Sequence, residues 1–152
     1  MKRLLIIFHT QGGHTGAMAE AVLRGARRAG ETETVMKRAG EATLEDLLAC
    51  QGLLIGTPEN FGTMAGMVKD FFDRTYYPAE GKTVGLPYAL FVSAGNDGTG
   101  AVMQVDRIAT GLFVARPQKT QYRLAWVECP YCDPDSLGTA QLWAEHQRKL
   151  AD

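Results

Sequence analysis

Apolar residues fall in short continuous runs, separated by stretches with helical spacing. Residues 4–8 (LLIIF), 52–56 (GLLIG) and 88–92 (YALFV) are uninterrupted runs. Runs of that length suit strands buried on both faces. Residues 33–37 form a weaker strand around Val35 and Met36, expected near a sheet edge. Residues 17–28 have helical spacing. Met18, Ala21, Val22, Gly25, Ala26 and Ala29 share one face, Glu20, Arg24, Arg27 and Arg28 lie mostly opposite, and Gly30 ends the helix. Thr43 is an N-cap for a short helix ending near Cys50. Residues 64–76 make the next helix, with Thr63 as its N-cap and Met64, Met67, Val68, Phe71 and Phe72 on its apolar face. Residues 101–110 make another. Residues 112–115 and 122–127 compete for the fifth strand, and residues 133–136 cap a last helix carrying Leu137, Ala140, Trp143 and Ala144.

Strand and helix thus alternate five times. That pattern predicts an α/β doubly wound sandwich of three layers, with a five-stranded parallel sheet in the order 2-1-3-4-5 and one domain over residues 1–152. Three polar, glycine-containing loops follow the first, third and fourth apolar strands: residues 9–16 (HTQGGHTG), 57–62 (TPENFG) and 93–100 (SAGNDGTG). In the expected order those strands are neighbours, so their loops meet in one crevice beyond the carboxyl ends of the strands.

The first loop enters a helix, where free backbone N–H groups and the positive end of the helix dipole favour an anion. Thr10 and Thr15 add hydroxyls, and Gly12, Gly13 and Gly16 allow close approach. The loop has no P-loop lysine and no dinucleotide fingerprint. A single terminal phosphate therefore fits it better than a nucleoside triphosphate. The other loops offer Pro58, Asn60, Phe61, Ser93 and Asn96 with backbone amides, a suitable lining for a flat heteroaromatic ring. A ring with one terminal phosphate is flavin mononucleotide (FMN). Phe61 lines the ring on this reading, and a core position is its alternative. Glu59 and Asp97 read as solvated loop carboxylates, not as a catalytic pair.

The net charge is −1 over 152 residues. It argues against a general nucleic-acid binder and against a strongly acidic docking surface. No run reaches membrane-spanning length, and the apolar part of residues 1–8 is too short for a signal peptide, so a cytosolic protein is expected. Three cysteines are too few for a secreted disulfide scaffold. Cys129-Pro130-Tyr131-Cys132 matches the glutaredoxin redox motif letter for letter, but it lies late in the chain and away from that fold's context. The pair reads as two ordinary thiols, with a redox pair or a shared metal as alternatives. Arg116, Lys119 and Arg123 are read as surface charge, with a nucleotide 2′-phosphate as the alternative partner.

The motif GTPxxFGxMAGxxK, over Gly56-Thr57-Pro58, Phe61-Gly62, Met64-Ala65-Gly66 and Lys69, resembles the WrbA-type NAD(P)H:quinone oxidoreductases and related FMN reductases of the flavodoxin superfamily. So do residues 10–15 with Met18-Ala19, and residues 91–98. The resemblance runs through most of residues 2–111. It implies a flavodoxin-like fold, FMN as cofactor, NADH or NADPH as co-substrate and a quinone or similar small-molecule electron acceptor. Thr10, Gln11, Gly12, Gly13, His14 and Thr15 would then hold the phosphate. Pro58, Glu59, Asn60, Phe61 and Gly62 would flank the ring. Ser93, Ala94, Gly95, Asn96, Asp97 and Gly98 would meet its pyrimidine side and the ribityl chain. No side chain is assigned as acid or base, and no metal is implied. Glu59 and Asn60 stand where that family usually has a hydroxyl residue and an arginine. A homo-oligomer is compatible with the resemblance, although the chain lacks the longer insertion through which those proteins form tetramers. The alternative is a flavodoxin-type electron carrier with no turnover of its own.

Overall fold

The computed structural model describes residues 1–30, 32–113 and 125–128. The last predicted helix, the Cys129–Cys132 motif and the basic segment of Arg116, Lys119 and Arg123 lie outside the described residues.

Strand β1 (Lys2–Phe8) is central, and its four residues Leu4 to Ile7 are at most 2% exposed. It pairs in parallel with β2 (Thr32–Arg38) on one side and β3 (Gly52–Asn60) on the other. β3 pairs in parallel with β5 (Tyr88–Ser93), and β5 with β6 (Ala125–Glu128). The parallel strands run β2-β1-β3-β5-β6, which is 2-1-3-4-5 when the two-residue antiparallel strand β4 (Thr63–Met64) is set aside. Among the described strands β2 has one neighbour, and it is mostly half-buried, as its mixed sequence TETVMKR requires of an edge. β6 settles the choice of fifth strand. Leu112 and Phe113 belong to a helix instead.

The two sheet faces carry separate cores. Leu4, Ile6, Phe8, Leu54, Ala89 and Phe91 meet α1 (His14–Arg28). Leu5, Ile7, Leu53, Ile55 and Leu90 meet α2 (Leu44–Ala49), α3 (Gly66–Ala79) and α4 (Thr99–Phe113). Alternating strand residues go to opposite layers, which is why the strands read as continuous apolar runs.

Several boundaries differ from expectation. α1 buries Thr15, Ala19, Val22, Leu23, Gly25 and Ala26, while Met18 and Ala21 are half-buried and Ala29 is exposed. In an alanine-rich segment, neighbouring stripes differ too little in hydrophobicity to be told apart. Thr43 does cap α2: its hydroxyl accepts the Asp46 N–H at 3.2 Å, and the Asp46 carboxylate accepts the Thr43 N–H at 2.9 Å. Thr63, by contrast, caps nothing. It pairs with Asn60 in a short antiparallel strand, β4 (Thr63–Met64), and α3 begins at Gly66 instead of Met64, with Ala65 as N-cap.

Candidate active site

β3 runs past the expected end of its strand. Pro58 still pairs with Ser93 on β5, and then Glu59 and Asn60 pair back with Met64 and Thr63. Residues 57–62 are therefore the arm and tip of a two-residue hairpin. Its central residues Phe61 and Gly62 have φ of 53° and 73°. Positive φ at both central positions is the demand of the tight hairpin turn that matches strand twist. Phe61 is the one non-glycine residue with positive φ among those described. Its ring is fully exposed, at 105%. The core alternative for Phe61 is thus excluded.

The hairpin hangs from Thr57, a buried residue of the GTP motif. The Thr57 hydroxyl accepts the Ala65 N–H at 2.9 Å and donates to the Pro58 carbonyl at 2.9 Å. This one side chain ties the end of the parallel strand to the start of α3.

Side chains then join the three loops. Asn60 Nδ2 donates to Gln11 Oε1 at 3.3 Å, linking the hairpin to the first loop. Glu59 Oε2 accepts the Ala101 N–H at 3.2 Å, linking the hairpin to α4. Gly100 faces the Gly62 carbonyl so closely that a Cβ there would collide with it. Gln104 Oε1 accepts the Met64 N–H at 3.4 Å. The expected convergence of residues 9–16, 57–62 and 93–100 is present in the structure. Glu59 is not the solvated carboxylate expected, because it is half-buried and engaged with a helix N-terminus. Asp97 is exposed as expected, but its Oδ1 accepts the Thr99 N–H at 2.8 Å. That bond holds its carboxyl below the usual range.

The ends of α1 and α4 differ in charge. On α4, Asp97 and Glu59 occupy the Thr99 and Ala101 N–H groups. α1 has no acidic residue in its first turn and no side-chain cap. The Ala17 N–H bonds the Gly13 carbonyl, which leaves His14, Thr15 and Gly16 as first-turn donors without an intrahelical acceptor. Gly13 has φ of 98° and no atom within 4 Å of where its Cβ would be. The Thr10 hydroxyl accepts the Gly13 N–H at 3.1 Å, so its own hydrogen remains a donor. Gln11, Gly12, Gly13 and His14 are exposed, whereas Thr15 is buried. An anion therefore fits at α1 and would be repelled at α4.

Residues 93–98 curve past Pro58, the partner of Ser93. Ser93 is half-buried, Ala94 and Gly98 are buried, and Gly95, Asn96 and Asp97 are exposed. Gly100 and Gln104 form the far wall of the hairpin; sequence reasoning placed Gly100 in the third loop without a role of its own and missed Gln104. Two glycines flanking Thr99 were the available signal for Gly100, and Gln104 carried none.

Residues 27–124 match the family model described as NADPH-dependent FMN reductase. The chain is 39% identical over 100 residues to a flavodoxin of Aquifex aeolicus, across 66% of this chain and 54% of that protein. It is 31% identical over 134 residues to an NAD(P)H dehydrogenase (quinone) of Acidithiobacillus ferrooxidans, across 74% of this chain and 67% of that protein. Among solved structures, a flavodoxin, WrbA-like protein of Agrobacterium tumefaciens superposes with a TM-score of 0.71 at 19% identity, over 99% of this chain and 98% of that one. That likeness shows the flavodoxin-like fold. The chain spans between 54% and 67% of the length of these curated relatives.

Proposed function

The chain belongs to the NADPH-dependent FMN reductase family, and from that premise we propose that it is an FMN-dependent NAD(P)H oxidoreductase that reduces quinones or similar small acceptors in the cytosol. The observation that carries the reading is the asymmetric cleft: an uncapped anion-binding turn at α1, a hairpin with an exposed aromatic tip, and a third loop whose helix end is already neutralised.

The residues fit the cofactor. The N–H groups of His14, Thr15 and Gly16 and the Thr10 hydroxyl would take the phosphate, and Gly12 and Gly13 let it approach. Pro58, Phe61 and the hairpin backbone would flank the ring on one side, with residues 93–98 at its polar edge. FMN when bound supplies hydride acceptance from NADH or NADPH and electron donation to the acceptor. The protein's part is binding, orientation and partial exclusion of water. No side chain is required as acid or base. A homo-oligomer remains part of this proposal only through the resemblance to WrbA-type proteins.

Calorimetric titration tests the phosphate assignment. FMN should bind far more tightly than riboflavin, and equal affinities would refute the role of α1. Steady-state oxidation of NADH and NADPH with 1,4-benzoquinone then tests the activity. The 39% identical relative named a flavodoxin favours a second reading, an electron carrier. An FMN-loaded protein that oxidises neither nicotinamide faster than free FMN would establish that reading instead. The near-neutral charge weighs against it, since carriers steer their partners with a charged face.

A further inference from the structure

The β3–β4 hairpin cannot hold its own shape. Its returning strand is two residues long. Short two-stranded ribbons are marginal in water. Its tip holds Phe61 in the left-handed region, and the exposed ring gains no burial to offset that strain. The hold must come from neighbouring elements. Asn60 offers one neutral contact to Gln11 on the exposed side. Gln104 offers a second, longer one to Met64. Glu59 offers the contact with a formal charge, part-buried, at the first turn of a 15-residue helix. A carboxylate accepting an N–H at a helix N-terminus is favoured both by its charge and by the helix dipole. Gly100 completes the seat, because only a residue without Cβ leaves room for the Gly62 carbonyl.

We propose that Glu59 is a positioning residue: its carboxylate latches the hairpin to α4 and so sets the distance between Phe61 and residues 93–98. Its consequence for the cofactor rests on the flavin reading above, whereas the latch is a property of the chain alone. The side chain acts through the hairpin backbone and not by touching the ring. If the latch is released, FMN has to close the hairpin as it binds, and the apparent affinity falls in proportion to the fraction of molecules that remain closed.

Reach and charge are separated by two substitutions. Glu59→Gln keeps an oxygen at the same reach, and Glu59→Asp keeps the charge but is one methylene short. Peptide-level hydrogen exchange on the FMN-free full chain reads the latch directly. Exchange in peptides covering residues 57–66 and 99–104 should rise about tenfold in Glu59→Ala and Glu59→Asp and stay within about threefold in Glu59→Gln, with β1 unchanged. FMN affinity should fall at least about threefold in the first two variants, by no more than the exchange factor, and recover in Glu59→Gln. Unchanged exchange in both Ala and Asp variants would overturn the latch. Rescue by Asp and not by Gln would show that a negative charge near α4 suffices without the hydrogen bond to the Ala101 N–H, and would overturn the latch equally. Raised exchange with unchanged FMN affinity would overturn the role in shaping the cleft. If Glu59→Ala fails to fold, the Asp and Gln pair decides alone. If the wild-type chain takes no FMN, the flavin reading fails while the exchange comparison still judges the latch.

Discussion

Replacing Thr57 with valine tests whether a single buried hydroxyl supports the hairpin. Thr57 is 0% exposed, and valine has nearly its shape, so no cavity opens. What is lost is the oxygen. The Ala65 N–H, bonded to it at 2.9 Å, is left in the interior with no acceptor. An orphaned buried donor costs about 1–3 kcal/mol. The Pro58 carbonyl loses its donor too, but it is only part-buried and turns to water at little further cost. For a chain of this size each kcal/mol moves the melting temperature by about 2–4 °C, so a fall of about 2–12 °C is expected. Thr57→Ser is the control. It keeps both hydrogen bonds and loses one methyl, worth about 1 kcal/mol. Thermal melts followed by far-ultraviolet circular dichroism should rank wild type above Ser, and Ser above Val. A Val variant melting at or above the Ser variant would show that the methyl carries the position and that the hydroxyl does not tie β3 to α3.

Three further outcomes follow from the same structure. Burial pushes the Cys50 thiol from 9.0 up to about 11, and its Sγ–H donates to the Leu47 carbonyl; iodoacetamide at pH 8 should leave Cys50 unlabelled in the native chain and label it in urea, and native labelling at a free-thiol rate would refute its burial. For Asp46, burial alone raises the carboxyl pKa, but Lys37 and the Thr43 donors outweigh it and hold the value below the ordinary one. The resulting stability is present above the unfolded value of about 3.9 and lost as pH falls through the lower folded value, so wild type and Asp46→Asn should differ at pH 7 and converge in acid, as urea midpoints would measure. Gly100→Ala should displace the hairpin, because the obstructing atom is backbone; it should raise exchange in residues 59–64, and an unchanged pattern would mean that the hairpin moves freely over α4.

The strands were legible because burial on both faces forces a continuous apolar run, and LLIIF, GLLIG and YALFV have no other reading of that length. The Thr43 cap was legible because its partners lie within one turn. α4 hid part of itself. Val105, Ala109, Leu112 and Phe113 continue one helical stripe, yet the last two also read as the start of a strand. The hairpin was the part sequence could not give. TPENFGTM has no alternating apolar pattern and no Asn-Gly or Asp-Gly turn. The residue forced into positive φ is a phenylalanine, which local preference argues against. Its shape is decided by Thr57, Glu59 and Gly100, through contacts that cross from one element to another.

That failure of local rules falls at the cleft, where strain is expected if shape serves binding. By sequence, residues 9–16 and 93–100 look alike, each a glycine-rich loop ahead of a helix, and α1 and α4 are both 15 residues long. The carboxylates separate them. Asp97 and Glu59 neutralise the donors of α4, while the first turn of α1 has no acid. The hairpin lies between, tied to the first loop through Asn60 and to α4 through Glu59. The two ends of the cleft therefore differ, with uncapped first-turn N–H donors at α1 and carboxylates at α4. A ligand with one charged end and one uncharged flat end matches it. On the proposed placement of the cofactor, a ligand with anions at both ends would bring one of them toward Asp97 and Glu59, and this supports the mononucleotide reading proposed above.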